Sequence, residues 1–396
     1  MELFFDDADM DGQLQRSVSA AYSGSADVGE VLAVAARITP GDYDSWWQEW
    51  SALAETSDRA AAAARQAGHT VSATKAFLRA TEYWRQAWFF LRHDLDDERL
   101  QSGWRRHRAS FRAATELWPH ATTWLRVPFE GVHMEGYLVR PADDDVARPT
   151  VIAPCGYDSA AEAGWAATGY MALSRGWNFA VMEGPGQGGM LYEHRVPIRP
   201  DFEVPFAAML DDLVGRPGVD PDRLALVGRS FGGYLAPRAA AFEPRIAALV
   251  CDPGQVEFTS RMATQMGDEL TAKVLAGDPE TDASLQDMLE GPRNTEYWGA
   301  RMATHGQGTF AGMLRELHRF DITDIAGRIT CPTLITEGEG DFASQSTQLR
   351  ALLTGDVTLV HFDIASGAGG HCEGLGATLF EQATFDWLED RLGHAP

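Results

Sequence analysis

Leu224-Ala-Leu-Val-Gly-Arg-Ser-Phe-Gly-Gly-Tyr234 contains two patterns in succession. Leu224 to Val227 is an uninterrupted apolar run, as expected of a strand buried on both faces. Gly228-Arg229-Ser230-Phe231-Gly232 interrupts it, and a helix then opens through Tyr234, Leu235 and Ala239 to Phe242. A serine between glycines at a strand-to-helix turn is a nucleophile elbow. Such a turn must be tight enough to hold Ser230 in a strained conformation with its hydroxyl above the sheet. Glycine at 228 and 232 is expected to give the strand and helix room to close. The helix N-terminus adds free N–H groups where negative charge would develop. With 39 glycines in 396 residues the pentapeptide alone means little. The flanking strand and helix give it weight.

Around this stretch the chain alternates. Apolar runs at Thr150 to Ala153, Asn178 to Met182, Leu224 to Val227, Ala247 to Cys251, Thr333 to Thr336 and Val357 to His361 read as strands. Helical patterns at Glu162 to Ser174, Phe206 to Leu213, Phe231 to Phe242, Ser346 to Leu353 and Ala377 to Leu392 separate them. This order requires a mostly parallel sheet covered on both faces. Ahead of it, Trp124 to Phe129 and His133 to Arg140 read as a hairpin. From about Gln13 to Trp118 the pattern is helical, with Asp42 to Ser45 as a cap, and this region holds seven of the 12 tryptophans. Helix packing is the plain reading of those rings, and roofing an aromatic pocket is the alternative. Between Val256 and Phe320 the alternation stops. Amphipathic stretches with Met262, Met266, Met288, Met302 and Met313 suggest a lid whose methionines adapt to a ligand, or a satellite core.

A serine hydroxyl becomes nucleophilic when a base takes its proton and a carboxylate fixes the base's tautomer. The carboxylate is expected after a later strand, where Thr333-Leu-Ile-Thr-Glu-Gly-Glu-Gly-Asp341 offers Asp341, with Glu337 and Glu339 as rivals. The base is expected in a loop before the final helix. His371 stands there in Ser366-Gly-Ala-Gly-Gly-His371-Cys-Glu, where packing gives no reason for a histidine. His361 falls in a strand and reads as a core residue; His194, His305 and His318 could line a pocket. An oxyanion hole needs two backbone donors. The N–H of Phe231 is one, and that of Tyr157, in the loop after the Val151 strand, is the other.

Acidic residues outnumber Lys and Arg by 57 to 33, a net charge of -24. That charge excludes nucleic acid and anionic membrane surfaces as partners. Four cysteines without a C-x-x-C pair fit a reducing cytoplasm, and no apolar run reaches membrane-span length. Gly184-Pro-Gly186-Gln-Gly-Gly189 has the letters of a dinucleotide fingerprint, but a loop is expected after it where the fingerprint needs a helix. Asp7-Ala-Asp9-Met-Asp11-Gly12 opens like a calcium loop, yet position 12 of that loop is Val18, and the stretch reads as an acidic, frayed terminus. No metal or cofactor is expected.

Cys155-Gly-Tyr-Asp-Ser, Glu183-Gly-Pro-Gly-Gln-Gly188, Gly228-Arg-Ser-Phe-Gly-Gly-Tyr and Gly367-Ala-Gly-Gly-His371-Cys-Glu together resemble one subgroup of the α/β-hydrolases. The subgroup includes 2,6-dihydroxypseudooxynicotine hydrolase and the fungal polyketide-shortening hydrolases, related to the prolyl-oligopeptidase-like serine hydrolases. Its members usually have Asp where Glu183 stands, and often Pro shortly after the position of Asp341. The resemblance implies an α/β-hydrolase fold, with a helical cap over residues 1–120 and a catalytic domain over 121–396 carrying a lid at about 257–320. It also implies a Ser230–His371–Asp341 triad acting on a small molecule, a homodimer, and cleavage of a ketone-adjacent C–C bond or an ester. Carboxylesterase, thioesterase or acyltransferase chemistry uses the same machinery, and a non-catalytic binding protein of this fold is the reading from another class.

Overall fold

The computed structural model describes residues 3–395. Eight strands form one sheet: β1 (Ala121–Phe129), β2 (Val132–Arg140), β3 (Arg148–Pro154), β4 (Asn178–Met182), β5 (Val219–Arg229), β6 (Ala248–Asp252), β7 (Thr333–Gly338) and β8 (Val357–Phe362). Their spatial order is β1-β2-β4-β3-β5-β6-β7-β8. The expected hairpin pairs Ala121 with Arg140 through Phe129 with Val132, and β2 also runs antiparallel to β4. Every other neighbouring pair is parallel. β5 lies near the centre, and its alternation divides the core. Leu224 and Leu226 face the elbow helix and Phe206, while Ala225 and Val227 face the C-terminal helix with Phe380 and Leu388. All four side chains are fully buried. Removing a leucine of this kind from water stabilises the fold by about 1.5–3 kcal/mol.

Five helices precede the sheet: α1 (Ala8–Ala20), α2 (Val28–Ala35), α3 (Tyr43–Gln66), α4 (Thr70–Trp88) and α5 (Glu98–Thr115). Asp42 caps α3 as expected, accepting from the amides of Asp44 and Ser45. Trp46, Trp50 and Trp84 are buried with Phe5, Met10 and Tyr83 in a core of their own. The packing reading therefore holds for these rings. Asp7 to Gly12 is not frayed. The Asp7 side chain caps α1 through the amides of Asp9 and Met10, and the Asp11 carboxylate accepts from the amides of Leu3, Phe4 and Phe5.

The insertion between β6 and β7 contains five helices, Thr259–Met266, Asp268–Ala276, Pro279–Asp287, Pro292–Thr304 and Phe310–His318. Met262 and Met313 sit in its small internal core with Val274, Leu285 and Phe310, so these methionines pack the insertion and do not line a ligand cavity. His361 is another correction. β8 is the sheet's edge, and the His361 side chain is 53% exposed.

Two connections also differ from expectation. The helix expected over Glu162 to Ser174 is a 3₁₀ turn, a π-helical turn at Trp165–Gly169 and a short α-helix at Tyr170–Ser174. The glycine-rich stretch at 184–189 does open a helix, the single turn Gly188–Tyr192. The anion position at its start is filled by the protein itself. The Glu183 carboxylate accepts from the amides of Gly189 and Ala161. Burial, with the neighbouring Glu162 adding to it, pushes Glu183 up to about 7. Glu183 is buried outside the cavity lining, so Glu in place of Asp there does not set the pocket's polarity.

Candidate active site

Ser230 follows directly on β5 with φ +56°, a left-handed backbone that a side chain adopts only under constraint. Its amide donates to the Asp252 carbonyl at 2.7 Å, tying the elbow to β6. A Cβ at Gly228 would lie 2.0 Å from the Gly232 carbonyl oxygen, so the expected need for glycine holds there. It does not hold at Gly232, where the nearest atom would be 3.7 Å away. It falls instead on Gly233, where a Cβ would meet the Pro253 carbonyl at 1.8 Å. The helix Gly232–Ala240 passes so close to the end of β6 that only glycine fits at its second position.

The three side chains read from separate loops meet. His371 Nε2 lies 2.8 Å from Ser230 Oγ. His371 Nδ1 lies 2.9 Å and 3.1 Å from the two Asp341 oxygens. The Asp341 side chain has no exposed surface, and the amide of Ala343 donates to it at 2.8 Å. The rivals lie elsewhere: Glu339 accepts from the Ile364 amide, and Glu337 from the Ser344 hydroxyl. The backbones of the acid and base loops are joined by the Gly370 amide donating to the Glu339 carbonyl at 2.9 Å.

Tyr157 and Phe231 are also neighbours, with their rings edge to face at 4.8 Å. Neither amide meets a protein acceptor among the described residues. Asp158, the next residue in that loop, is pinned from outside the sheet. Arg92, following α4, donates to Asp158 and lies 3.4 Å from Glu296 in the insertion. Burial alone would raise the Asp158 carboxyl, but Arg92 and Arg301 outweigh it and hold it well below the usual range. One guanidinium therefore joins the Tyr157 loop, the N-terminal helices and the insertion.

Arg229, inside the elbow itself, was not singled out in the sequence. Its Nε donates to Asp252 at 2.6 Å, and its two terminal nitrogens donate to the carbonyls of Ala167 at 3.0 Å and Cys372 at 2.8 Å. Ala167 belongs to the π-helical turn, so Arg229 also ties that turn to the elbow. Cys372 and Glu373, next to the base, have φ of +51° and +57°. Arg229 therefore holds the His371 loop in a strained shape. Burial, and then the Asp252 carboxylate, raises the Glu373 carboxyl well above its ordinary value of 4.5. Glu373 Oε1 and Asp252 Oδ1 have no hydrogen-bond partner among the described residues, and a proton on Glu373 would let it donate to Asp252.

That proton makes stability depend on pH. The unfolded Glu373 loses it near 4.5 and the folded one only at higher pH. Stability from this group is complete below 4.5 and falls as pH rises towards the folded value. Glu373→Gln cannot titrate. Its stability relative to the parent should rise with pH above about 5, by up to about 1.4 kcal/mol per pH unit. Urea unfolding at pH 5, 6, 7 and 8 measures this, and a constant difference would exclude a raised Glu373 carboxyl.

A cavity of about 480 Å³ opens above Ser230 and His371. Its walls come from α1, the turn after α4, the Tyr157 loop, the π-helical turn and the insertion helix Pro292–Thr304. No tryptophan lines it. Of the other candidate histidines, His194 and His318 are exposed, and His305 is buried against Tyr157 and Phe320 behind the wall. The lining from α1 was missed in the sequence. The available signal was Asp7 as an N-cap ahead of Met10 and Leu14 at helical spacing.

A mostly parallel eight-stranded sheet with an antiparallel second strand, and a serine elbow after its fifth strand, defines an α/β-hydrolase. The chain belongs to the family described as "Esterase FrsA-like", which matches residues 38–278, more than half of its length. Alpha/beta hydrolase xenA of Xenoacremonium sinensis is 32% identical to it, over 96% of this chain and 95% of that protein. Alpha/beta hydrolase psoB of Aspergillus fumigatus is also 32% identical, over 94% and 91%. Among solved structures, 2,6-dihydroxy-pseudo-oxynicotine hydrolase superposes with a TM-score of 0.76 at 23% identity, covering 96% of this chain and 97% of that one. That likeness in fold extends to the N-terminal helices. No helix among the described residues is long and apolar enough to cross a membrane.

Proposed function

We propose that Ser230, His371 and Asp341 form the catalytic triad of a serine hydrolase that cleaves a ketone-adjacent C–C bond or an ester in a mid-sized, aromatic or polyketide-like molecule. The observation that carries this reading is the 2.8 Å contact between Ser230 Oγ and His371 Nε2, with Nδ1 held by a buried carboxylate. His371 takes the hydroxyl proton as Oγ attacks the carbonyl. The oxyanion is held by the Phe231 and Tyr157 amides. His371 then gives its proton to the departing group, an alkoxide or the carbanion of a ketone, and water repeats the sequence on the acyl enzyme. The cavity volume suits a molecule of drug-like size, and the resemblance of the four sequence motifs to a subgroup with C–C hydrolases supports the C–C branch.

The test is product analysis by mass spectrometry on a panel of aryl 1,3-diketones and acyl esters. Acid and ketone fragments from the diketones, absent with Ser230→Ala, are the expected result. Turnover of esters alone would remove the C–C branch and leave an esterase or acyltransferase. No turnover together with no fluorophosphonate labelling of Ser230 would overturn the hydrolase reading.

A further inference from the structure

Arg16, on α1, lines the cavity and is half-buried. It makes no ion pair or hydrogen bond with any described residue, although the chain as a whole has far more acid than base. Arg85, from α4, is 4% exposed and also lines the cavity. Its only hydrogen bond is a long one to Gln13, 3.5 Å, and it approaches Glu82 no closer than 3.7 Å. Arg301, on the insertion, stacks on Tyr297 at 3.4 Å and donates only to the carbonyl of Tyr297, one turn back in its own helix. Three guanidiniums thus reach one cavity with most of their donors unused.

The carboxylates of the cavity are already occupied. Asp158 and Glu296 accept from Arg92, and Glu296 also from His93, while Arg301 and Arg16 attract Asp158 without a hydrogen bond to it. Glu82 accepts from Ser17 at 2.8 Å and Gln86 at 2.9 Å. Asp9 accepts from Arg293 at 2.6 Å. Arg85 is drawn down to about 10 by its burial, against the pull of Glu82, with Arg16 and Arg92 adding to the effect. Leaving buried cations short of partners is costly, and an anion entering between them would relieve both the lost hydration and their mutual repulsion. Guanidinium groups are suited to planar, two-oxygen acceptors.

The geometry points to an anion subsite formed by Arg16, Arg85 and Arg301, which takes a carboxylate on the substrate at the end remote from the bond broken at Ser230. The assignment rests on the cavity above Ser230 being the substrate site, and it narrows the substrate to carboxylate-bearing molecules. Arg16 comes from the N-terminal helices and Arg301 from the insertion. The carboxylate would therefore also bridge the two elements that cover the sheet.

Binding can be measured without chemistry, using the full chain with Ser230→Ala and isothermal titration of 4-phenylbutanoate against the neutral 4-phenylbutanamide. The acid should bind roughly 10- to 100-fold more tightly than the amide. Adding Arg16→Gln should remove most of that preference and leave amide affinity unchanged, which also shows the pocket to be folded. Arg16→Lys should retain part of it. If Arg16→Gln weakens the amide as well, the acid-to-amide ratio in Arg16→Lys and Arg301→Gln decides: a reduced ratio supports the subsite and an unchanged one overturns it. Equal affinities in the parent, a preference that survives Arg16→Gln, or no acid binding would each overturn it. Failure of the hydrolase reading appears separately, as absent turnover and labelling in the wild type.

Discussion

Asp341→Asn is expected to lower kcat about 10⁴-fold with little change in folding. Both Asp341 oxygens accept from His371 Nδ1; Oδ1 also accepts from the Ala343 amide at 2.8 Å and Oδ2, at 3.4 Å, from the Cys372 amide. In the Asn variant the shorter bond, from the Ala343 N–H, keeps Oδ1 as the oxygen, so the new NH₂ takes the Oδ2 position and faces the imidazole. An N–H directed at Nδ1 favours the tautomer with its proton on Nε2. That imidazole cannot accept from Ser230 Oγ, although every heavy atom remains in place. The shape of the site survives, so substrate binding should change much less than turnover, giving a fall in kcat at nearly constant KM. Glu339→Gln is the matched control. Its side chain bonds the exposed Ile364 amide at 2.9 Å, and the link from its loop to Gly370 is made by backbone. Its activity should stay within about twofold of the parent. Steady-state rates on a 4-nitrophenyl ester, with urea midpoints alongside, measure both. The opposite pattern would move the acid to Glu339.

That Ser230, Asp341 and His371 would meet was legible in the sequence because each stands in a glycine-bearing loop that follows a strand. Local composition marks such places, and the order Ser230, Asp341, His371 follows the order of the strands. The sheet was legible for a related reason: period-two burial and uninterrupted apolar runs are local signals. What could not be read depends on partners distant in the chain. Arg92 meets Asp158 and Glu296 across separations of 66 and 204 residues, and no spacing rule joins them. The demand on Gly233 arises from the Pro253 carbonyl just past the end of β6, so the elbow motif directed attention to Gly232. His361 was misread because a strand pattern does not tell an edge from a centre. The methionines of the insertion were ambiguous because an adaptable pocket and a small satellite core favour the same residue. The acidic start of the chain had a local signal, Asp7 as a cap, which its likeness to a calcium loop obscured.

The second large effect is expected at Arg229. Arg229→Met should cost about 3–5 kcal/mol of stability, the usual result of leaving a buried charge without its partner. The Asp252 side chain has no exposed surface and would lose the donor 2.6 Å from it. The carbonyls of Ala167 and Cys372 would lose theirs as well. The second consequence is separate. Cys372 and Glu373 occupy left-handed backbone that costs about 1–3 kcal/mol per residue, and Arg229 is the side chain that fastens this loop to the elbow. Released, the loop relaxes and His371 moves away from Ser230. A displacement of about 1 Å is enough for a 10²-fold loss, so kcat should fall about that far while KM changes little. Two further variants distinguish charge from position. In Arg229→Met with Asp252→Asn and Glu373→Gln neither carboxylate that Arg229 faces is left unpaired, so most of the stability should return while kcat stays low. Arg229→Lys keeps the charge beside Asp252, but its single head cannot reach Asp252, Ala167 and Cys372 together, so it too should recover more stability than rate. Urea midpoints and steady-state rates on the same preparations separate the two effects. If rate and stability recover in step across the series, Arg229 serves only charge balance and the His371 loop holds its shape without it.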